Sequence, residues 1–167
     1  KDKFQNPNYY RHQIVAPNYR MPEIIAAAGI AQLKKTNYFF KKRVLIGSGY
    51  EKIANKYPWV IFQKTPKNYY HSYWTFAFYL NTKKINWFDF RKKFIQFGGD
   101  RFYSAWKLSY QEPALKSQYS KTLCKNAEIL QKKLILLKTN FIDEKKIKTQ
   151  IKIFDKTLLF CKLKFNL

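Results

Sequence analysis

The sequence offers a possible anion site near its beginning, where polar side chains precede a predicted helix. Asn18 and Arg20 lie just before Met21 and Pro22, and proline is favoured in the first turn of a helix. A helix N-terminus attracts anions because its first N–H groups are unpaired and its dipole is positive there. The Asn18 amide and the Arg20 guanidinium can both donate to a phosphate. The alternative is that Asn18 caps the helix and Arg20 is a surface residue.

Two further segments mix aromatic and basic side chains and could hold a ring beside a charged group. The first runs from His71 to Trp74, and the second runs from Gly98 to Lys107. Aromatic faces stack on rings and attract cations, so such segments suit a nucleotide, a sugar or single-stranded nucleic acid. The candidate binding residues are His71, Tyr73, Arg101, Tyr103, Trp106 and Lys107. The alternative is that both segments are edge strands with ordinary exposed aromatic residues.

No self-sufficient active site is recognisable in the chain. It has no Gly-rich phosphate loop, no Cys-x-x-Cys pair and no nucleophile-elbow serine. The two histidines, His12 and His71, are distant in sequence from Cys124 and Cys161, so we predict no metal site. Both cysteines fall on apolar faces of predicted helices and are expected to be buried thiols. We therefore predict no catalytic residue in this chain.

The first third of the chain predicts an extended segment followed by one long helix. Residues 1–21 are polar and aromatic without periodicity, and we expect them to be extended. The helix is expected over residues 22–56, with alanines and Gly29 giving it a small-residue face. Gly47 and Gly49 weaken its far end, so a bend or break is expected near Ser48. Residues 57–167 are predicted to form a small α/β domain.

Within that domain, short apolar runs predict strands and a capped pattern predicts a helix. Residues 59–62 and 70–80 are the expected strands, the second with an apolar face at its even positions. Asn86 is a predicted N-cap, and Gly98 with Gly99 ends the helix that follows. Residues 100–109 are expected to return to the sheet.

The last third of the chain predicts two amphipathic helices. Apolar residues recur three or four positions apart in two stripes, and lysines take the opposite side of the second stripe. The first stripe consists of Leu123, Ala127, Leu130, Leu134 and Leu137. The second stripe consists of Ile147, Ile151, Phe154, Leu158 and Cys161.

Composition and charge narrow the class of protein. The 167 residues are 46% hydrophobic, which argues against disorder, and no apolar run is long enough to span a membrane. The net charge of +23 comes from 28 Lys and five Arg against ten acids. It suggests attraction to nucleic acid or anionic membrane, but the abundance of Lys, Asn, Ile, Phe and Tyr also fits a low-GC genome without selection for binding. No run of five or six basic residues forms a binding tail.

These motifs, taken in order, resemble the DegT/DnrJ-type sugar aminotransferases, which are fold-type-I enzymes that use pyridoxal phosphate. Residues 18–23, Asn-Tyr-Arg-Met-Pro-Glu, and residues 26–33, Ala-Ala-Ala-Gly-Ile-Ala-Gln-Leu, carry the most specific match. Weaker matches lie at residues 71–75, 98–113 and 124–140. The resemblance covers about residues 12–160.

The resemblance implies the C-terminal part of such an enzyme: a short antiparallel sheet packed with helices, preceded by a long connecting helix. Because the chain begins at Lys1 without a Met, we expect a cut piece. The Schiff-base lysine and most contacts to the cofactor, pyridoxal 5'-phosphate, would then lie upstream, and the fragment alone would be inactive. Asn18 is expected to reach the cofactor phosphate of the neighbouring subunit in a homodimer, with Arg20 beside it. His71 and the segment from Tyr103 to Trp106 would face the substrate.

The intact enzyme implied by the resemblance is cytoplasmic and transfers an amino group, typically from glutamate, to a keto-sugar nucleotide. It is expected to bind no membrane and no specific nucleic acid. Two alternatives remain open at this point: a basic, aromatic nucleic-acid-binding module, and a non-catalytic interaction domain that kept the fold. Many relatives carry a His-Tyr pair where this chain has Tyr103, Ser104 and Trp106.

Overall fold

The computed structural model describes residues 9–17, 20–104, 106–119 and 124–167. Over these ranges six helices and four short strands form, with a 3-10 turn at Ser109–Gln111. The helices are α1 (Glu23–Leu33), α2 (Thr36–Ala54), α3 (Trp87–Gln96), α4 (Pro113–Tyr119), α5 (Lys125–Gln131) and α6 (Glu144–Phe165). The strands are β1 (Val60–Phe62), β2 (Thr75–Leu80), β3 (Tyr103–Ser104) and β4 (Leu134–Lys138). No helix in the described part of the chain has both the length and the hydropathy needed to cross a membrane.

The four strands form one antiparallel sheet in the order β1-β2-β4-β3. Phe76 pairs with Leu137 across the two central strands, and Ser104 pairs with Ile135 at the β3 edge. Along β2, buried residues alternate with half-buried ones, so one side of the sheet faces the core and the other side stays partly open. The predicted short antiparallel sheet packed with helices is confirmed.

An aromatic core joins the closed side of the sheet to α2, α3 and α6. Phe154 of α6 lies at its centre, 5.3 Å from the Tyr50 ring and 5.4 Å from the Phe78 ring between centroids. Phe78 in turn meets Phe90 of α3 at 5.7 Å. These contacts are edge-to-face, the arrangement that places a positive ring edge on a negative ring face. All four residues are at most 1% exposed, so this cluster fixes α2, α3 and α6 on the sheet.

The predicted break near Ser48 is wrong. Helix α2 runs through Ser48 without interruption, and the chain turns earlier, at Lys34 and Lys35, between α1 and α2. Gly47 and Gly49 serve close packing instead: a Cβ on Gly47 would lie 2.2 Å from the Tyr73 ring, and one on Gly49 would lie 2.3 Å from Ile151 Cδ1. The expected single helix over residues 22–56 is therefore two helices, and no residue of α1 is buried.

The strand predicted over residues 70–80 is too long. Regular pairing begins at Thr75, and Tyr70 is 95% exposed. The reason is local, since Tyr73 has a φ of 47° and its backbone N–H donates to His71 Nδ1 at 2.8 Å. A residue in the left-handed region cannot continue a strand. The expected apolar face is correct for Phe76, Phe78 and Leu80, which are buried.

The first C-terminal stripe is only partly helical. Helix α5 ends at Gln131, and Leu134 and Leu137 belong to β4, which pairs with both β2 and β3. The short apolar run over 134–137 fits a buried strand as well as a helix, and the partners on both sides select the strand. Cys124 lies at the start of α5 and is exposed, so its predicted burial is wrong. Leu123 lies outside the described residues.

The predicted start and end of α3 agree with the structure. The Asn86 side chain accepts hydrogen bonds from the N–H groups of Phe88 and Asp89 at 2.9 Å and caps α3. Gly98 follows α3 with a φ of 91°, a conformation that suits glycine. In α6, Cys161 is buried as expected, with most of the second stripe. Of the residues between 100 and 109 that the structure describes, Tyr103 and Ser104 alone join the sheet.

Candidate functional site

The partly open side of the sheet carries a cavity of about 300 Å³, and we call this side the open face. Aromatic, basic and amide side chains meet there near the beginning of β2 and the end of β4. The lining residues are Arg43, Trp74, Thr75, Tyr103, Leu136, Lys138 and Asn140. Trp74 is 66% exposed, although large aromatic side chains are usually buried. Such an indole offers a free face on which a ring can stack.

Arg43 of α2 holds the edge of the open face in position. Its Nη1 donates to the Trp74 carbonyl at 2.9 Å and to Thr139 Oγ1 at 3.3 Å. Thr139 is fully buried, and its hydroxyl donates to the carbonyls of Tyr73 and Trp74. These bonds tie the residues before β2 to the residue after β4. The exposed indole of Trp74 therefore extends from an ordered backbone.

Charge on the open face is mixed. Lys138 Nζ lies 3.6 Å from Asp100 Oδ1, and Lys146 Nζ lies 4.0 Å from the other oxygen of the same carboxylate. These pairs are partly exposed, so each contributes little to folding. The cavity lining itself contains two cationic side chains, Lys138 and Arg43, and no acidic one. An anionic ligand would complement that lining.

Tyr103 and Trp106 form an aromatic pair beside the open face. Their rings meet edge-to-face at 5.0 Å, and the guanidinium of Arg11 lies 5.1 Å from the centroid of the Trp106 ring. Arg11 comes from the segment before the helices, and Glu112 anchors that segment by accepting from the backbone N–H of Arg11 at 3.0 Å. Glu112 is 4% exposed. Arg11 is thus held against the residues that follow β3.

A second cavity, of about 610 Å³, lies between α2 and the loop before β2, and we call it the aromatic cleft. His71 and Tyr73 both line it, with ring centroids 4.3 Å apart. The Tyr73 hydroxyl donates to Glu51 Oε2 at 2.6 Å. Burial, and then the bond to Glu51, raises the pKa of Tyr73 to about 12. At neutral pH the Tyr73 phenol therefore stays protonated and acts as a hydrogen-bond donor.

The six predicted binding residues form two aromatic pairs and one group outside the cavities. One pair is His71 with Tyr73, and the other is Tyr103 with Trp106. Arg101 is exposed, and Lys107 lies with Nζ 5.2 Å from the Tyr10 ring; neither lines the two cavities. 

Of the two predicted phosphate-binding residues, Arg20 is described, and it lines neither cavity. Arg20 is exposed two residues before the N-cap of α1, Pro22. Asn18 lies outside the described residues, so its role stays a prediction. In the described part of the chain, no group of three or more His, Cys, Asp or Glu side chains is arranged to hold a metal ion.

Sequence reasoning missed Arg43 and Glu51. They lie four residues on either side of Gly47, so all three share one face of α2. Gly47 lets the Tyr73 ring lie against the helix, and this brings Tyr73 to Glu51 and Trp74 to Arg43. A glycine inside a helical pattern with polar residues at four-residue spacing was the available signal, since such a glycine often marks a close approach.

Comparisons with known proteins agree with this architecture. A model of the DegT/DnrJ/EryC1/StrS aminotransferase family matches residues 2–149. GDP-perosamine synthase of Escherichia coli O157:H7 is 37% identical over 65 residues, which are 39% of this chain and 17% of that protein. The matched region is therefore only a small part of that relative's length.

Solved structures share the fold at low sequence identity. An aminotransferase from Psychrobacter cryohalolentis has a TM-score of 0.71 at 16% identity, over 91% of this chain and 42% of that one. The E. coli GDP-4-keto-6-deoxy-D-mannose-3-dehydratase with bound hydrated PLP has a TM-score of 0.57 at 18% identity, over 84% and 37%. With the family model covering most of its length, the chain belongs to the DegT/DnrJ/EryC1/StrS aminotransferase family.

Proposed function

We propose that this chain is the C-terminal part of a pyridoxal-phosphate-dependent aminotransferase that acts on a keto-sugar nucleotide, with glutamate as the amino donor. The match of the family model to residues 2–149 is the observation that carries the proposal. The relative named GDP-perosamine synthase supports a sugar nucleotide as the substrate class. Coverage of 42% or less of the related structures supports a further domain elsewhere in the protein.

In this proposal the chain divides as its sequence suggests. Residues 1–21 are a segment leading from the large domain, residues 22–56 connect the domains, and residues 57–167 are the small domain. The lysine that binds the cofactor belongs to the large domain, so the chain alone is inactive. Two such subunits form a homodimer that shares each active site across the interface.

The donors near α1 fit the phosphate of the cofactor. Among the described residues, Ala26 is the first of α1 whose N–H is paired, to the Pro22 carbonyl at 2.9 Å. The N–H groups before it have no partner within the helix. The Arg20 guanidinium is close in sequence, and the Asn18 amide adds a neutral donor. An oxyanion suits this set of donors. When bound, the cofactor supplies an electron sink for the amino-transfer chemistry; Asn18 and Arg20 would bind and orient its phosphate.

The open face fits the substrate side. The Trp74 indole can stack on a base or sugar ring, and Lys138 with Arg43 can attract a diphosphate. Tyr103 and Trp106 would border this face. His71 and Tyr73 would contribute from the aromatic cleft, where the Tyr73 hydroxyl donates to Glu51. These residues bind and orient the substrate and exclude water; the proton transfers belong to the large domain.

The proposal is tested on the complete protein that contains this chain. Asn18→Ala should weaken cofactor affinity about tenfold to a hundredfold, because a hydrogen bond to a charged group contributes roughly 1.5–3 kcal/mol. If Asn18 only stabilises the start of α1, whose N-cap is Pro22, the variant should instead lower the stability of the cofactor-free protein by about 1 kcal/mol and leave cofactor affinity intact. Unchanged cofactor affinity would contradict the proposed role of Asn18.

Mixing subunits tests the shared site. Asn18→Ala subunits are combined with subunits that lack the cofactor-binding lysine of the large domain. If Asn18 acts across the interface, one site of the mixed dimer carries both defects and the other carries neither, so activity returns. No recovery of activity would argue against a shared site.

Trp74→Ala tests the substrate face. We expect a higher KM for the sugar nucleotide, with cofactor affinity unchanged, because the indole lies on the open face. Tyr119→Ala is the matched control, since Tyr119 is also exposed but lies on α4 outside this cavity. Equal KM values for the two variants would contradict a role for Trp74 in substrate binding.

A further inference from the structure

Lysines and phenylalanines alternate along the seam where α3 packs against the end of α6. Lys93 Nζ lies 4.5 Å from the centroid of the Phe97 ring and 3.9 Å from that of Phe160. Lys156 Nζ lies 4.4 Å from the same Phe97 ring, and Lys164 Nζ lies 5.6 Å from the same Phe160 ring. Each ring therefore contacts two ammonium groups. We call these five residues the lysine seam.

The rings hold like charges close together. Because Lys93 and Lys164 share the Phe160 ring, their ammonium groups are at most about 9.5 Å apart, and sharing Phe97 limits Lys93 and Lys156 to about 8.9 Å. These limits are close to the Debye length of about 8 Å at physiological ionic strength, so the repulsion is only partly screened. Cation–π attraction offsets part of that repulsion. An anion placed between the ammonium groups would relieve the rest.

A cavity of about 390 Å³ opens onto this seam. Lys92, Lys93 and Lys164 line it together with the polar Gln96. Its apolar part is formed by Ile85, Phe160 and Phe165. Of the eight residues that line it, Asp89 alone is acidic. The volume falls in the range of about 300–1,000 Å³ that small-molecule sites occupy.

We propose that this cavity is a second anion site that binds a condensed phosphate, either inorganic or the diphosphate of a nucleotide. Lysine acts as a compact point charge, whereas arginine binds planar oxyanions through a rigid fork. A cavity lined by three lysines and no arginine therefore selects charge density more than a particular oxyanion geometry. Several adjacent phosphates supply that density, and the apolar residues leave room for an attached base or sugar.

The site is separate from the proposed substrate site. It lies between α3 and α6, which cover the closed side of the sheet, and it shares no lining residue with the open face. Binding here does not depend on the proposed aminotransferase function. Loss of one would leave the other intact.

The test is calorimetric titration of the complete protein with inorganic tripolyphosphate. Lys92→Gln with Lys164→Gln should weaken binding about fourfold to twenty-five-fold, since a partly exposed charge pair is worth about two- to fivefold in affinity. The matched control is Lys116→Gln with Lys145→Gln, which removes the same charge from exposed sites on α4 and at the opposite end of α6. The control should change affinity less than twofold.

Asp89→Asn supplies a variant that gains affinity, so the test does not depend on a damaged protein. Removing the single acid from the lining should tighten tripolyphosphate binding about two- to fivefold. If Asp89→Asn has no effect, or if the control weakens binding as much as Lys92→Gln with Lys164→Gln, the charge is diffuse and the proposal is overturned.

Comparing probes identifies the source of the phosphate. ADP binding more tightly than inorganic pyrophosphate would indicate a nucleotide whose base uses the apolar part, and equal affinities would indicate inorganic phosphate. Both results support a condensed-phosphate site if Lys92→Gln with Lys164→Gln weakens the binding of both probes. A single-stranded oligonucleotide that binds where tripolyphosphate does not would overturn the proposal and favour a nucleic-acid surface.

Discussion

Gly47→Ala should destabilise the protein, although alanine is the better helix former. In a free helix the substitution would gain about 1 kcal/mol. Here the added Cβ would lie 2.2–2.6 Å from three atoms of the Tyr73 ring. That distance is far below van der Waals contact, and overpacking of this kind costs about 1–3 kcal/mol.

The Tyr73 ring cannot easily move away. Its hydroxyl is bonded to Glu51, its backbone N–H to His71, and its carbonyl to Thr139. If the ring shifts, the bond to the Glu51 carboxylate is lost, at a further cost of about 1.5–3 kcal/mol. Set against the helix gain, the two costs together leave an expected loss of about 1.5–5 kcal/mol in the free energy of unfolding.

Urea unfolding of four proteins measures this effect: wild type, Gly47→Ala, Tyr73→Ala and the double variant. Without the Tyr73 ring the added methyl group has space, so Gly47→Ala should be neutral or stabilising by up to about 1 kcal/mol in that background. The coupling energy, which is the difference between the effects of Gly47→Ala in the two backgrounds, should be about 1.5–6 kcal/mol. Gly29→Ala is the control, since a Cβ there meets nothing within 4 Å. A stabilising Gly47→Ala in the wild-type background would refute the proposed close approach.

Three other outcomes follow from the described contacts. Glu112→Gln should loosen the first segment, because the buried carboxylate accepts from the backbone N–H groups of Arg11 and His12, and limited proteolysis should then cut near them faster than in wild type. The exposed Cys124 should react with a thiol reagent at pH 8 in the native protein, while burial raises the pKa of Cys161 to about 12 and protects it until unfolding; two native reactive thiols would contradict this. Duplex and single-stranded DNA should bind only non-specifically, with dissociation constants on the order of 10⁻⁴–10⁻⁶ M at physiological salt, and a filter-binding assay that finds nanomolar, sequence-dependent binding would favour a nucleic-acid module.

The elements predicted correctly from sequence carried their own local signals. Helix α3 has the Asn86 cap at one end and Gly98 at the other, and α6 has a continuous apolar stripe opposite its lysines. Strand β4 had no such signal, because five apolar or amphipathic residues fit a helix and a strand equally. Its pairing with β2 and β3 decides the outcome, and those partners are distant in sequence.

The candidate site shows the same division. His71 with Tyr73, and Tyr103 with Trp106, could be grouped from the sequence because the members of each pair are two or three residues apart. Arg43 reaches the Trp74 carbonyl across 31 positions. Its contribution depends on how closely α2 approaches the sheet, and that distance is set by packing in three dimensions.

The most direct test of the proposed function is the transfer of ¹⁵N from labelled glutamate to a keto-sugar nucleotide by the complete protein with pyridoxal phosphate. The proposal predicts one labelled amino sugar nucleotide for each 2-oxoglutarate formed, and no transfer by residues 1–167 alone. It also predicts that the Trp74→Ala variant transfers less than wild type at low substrate concentration. At saturating substrate concentration the two proteins should transfer equally. Absence of label from every keto-sugar nucleotide tested, with the cofactor bound, would contradict the proposed function.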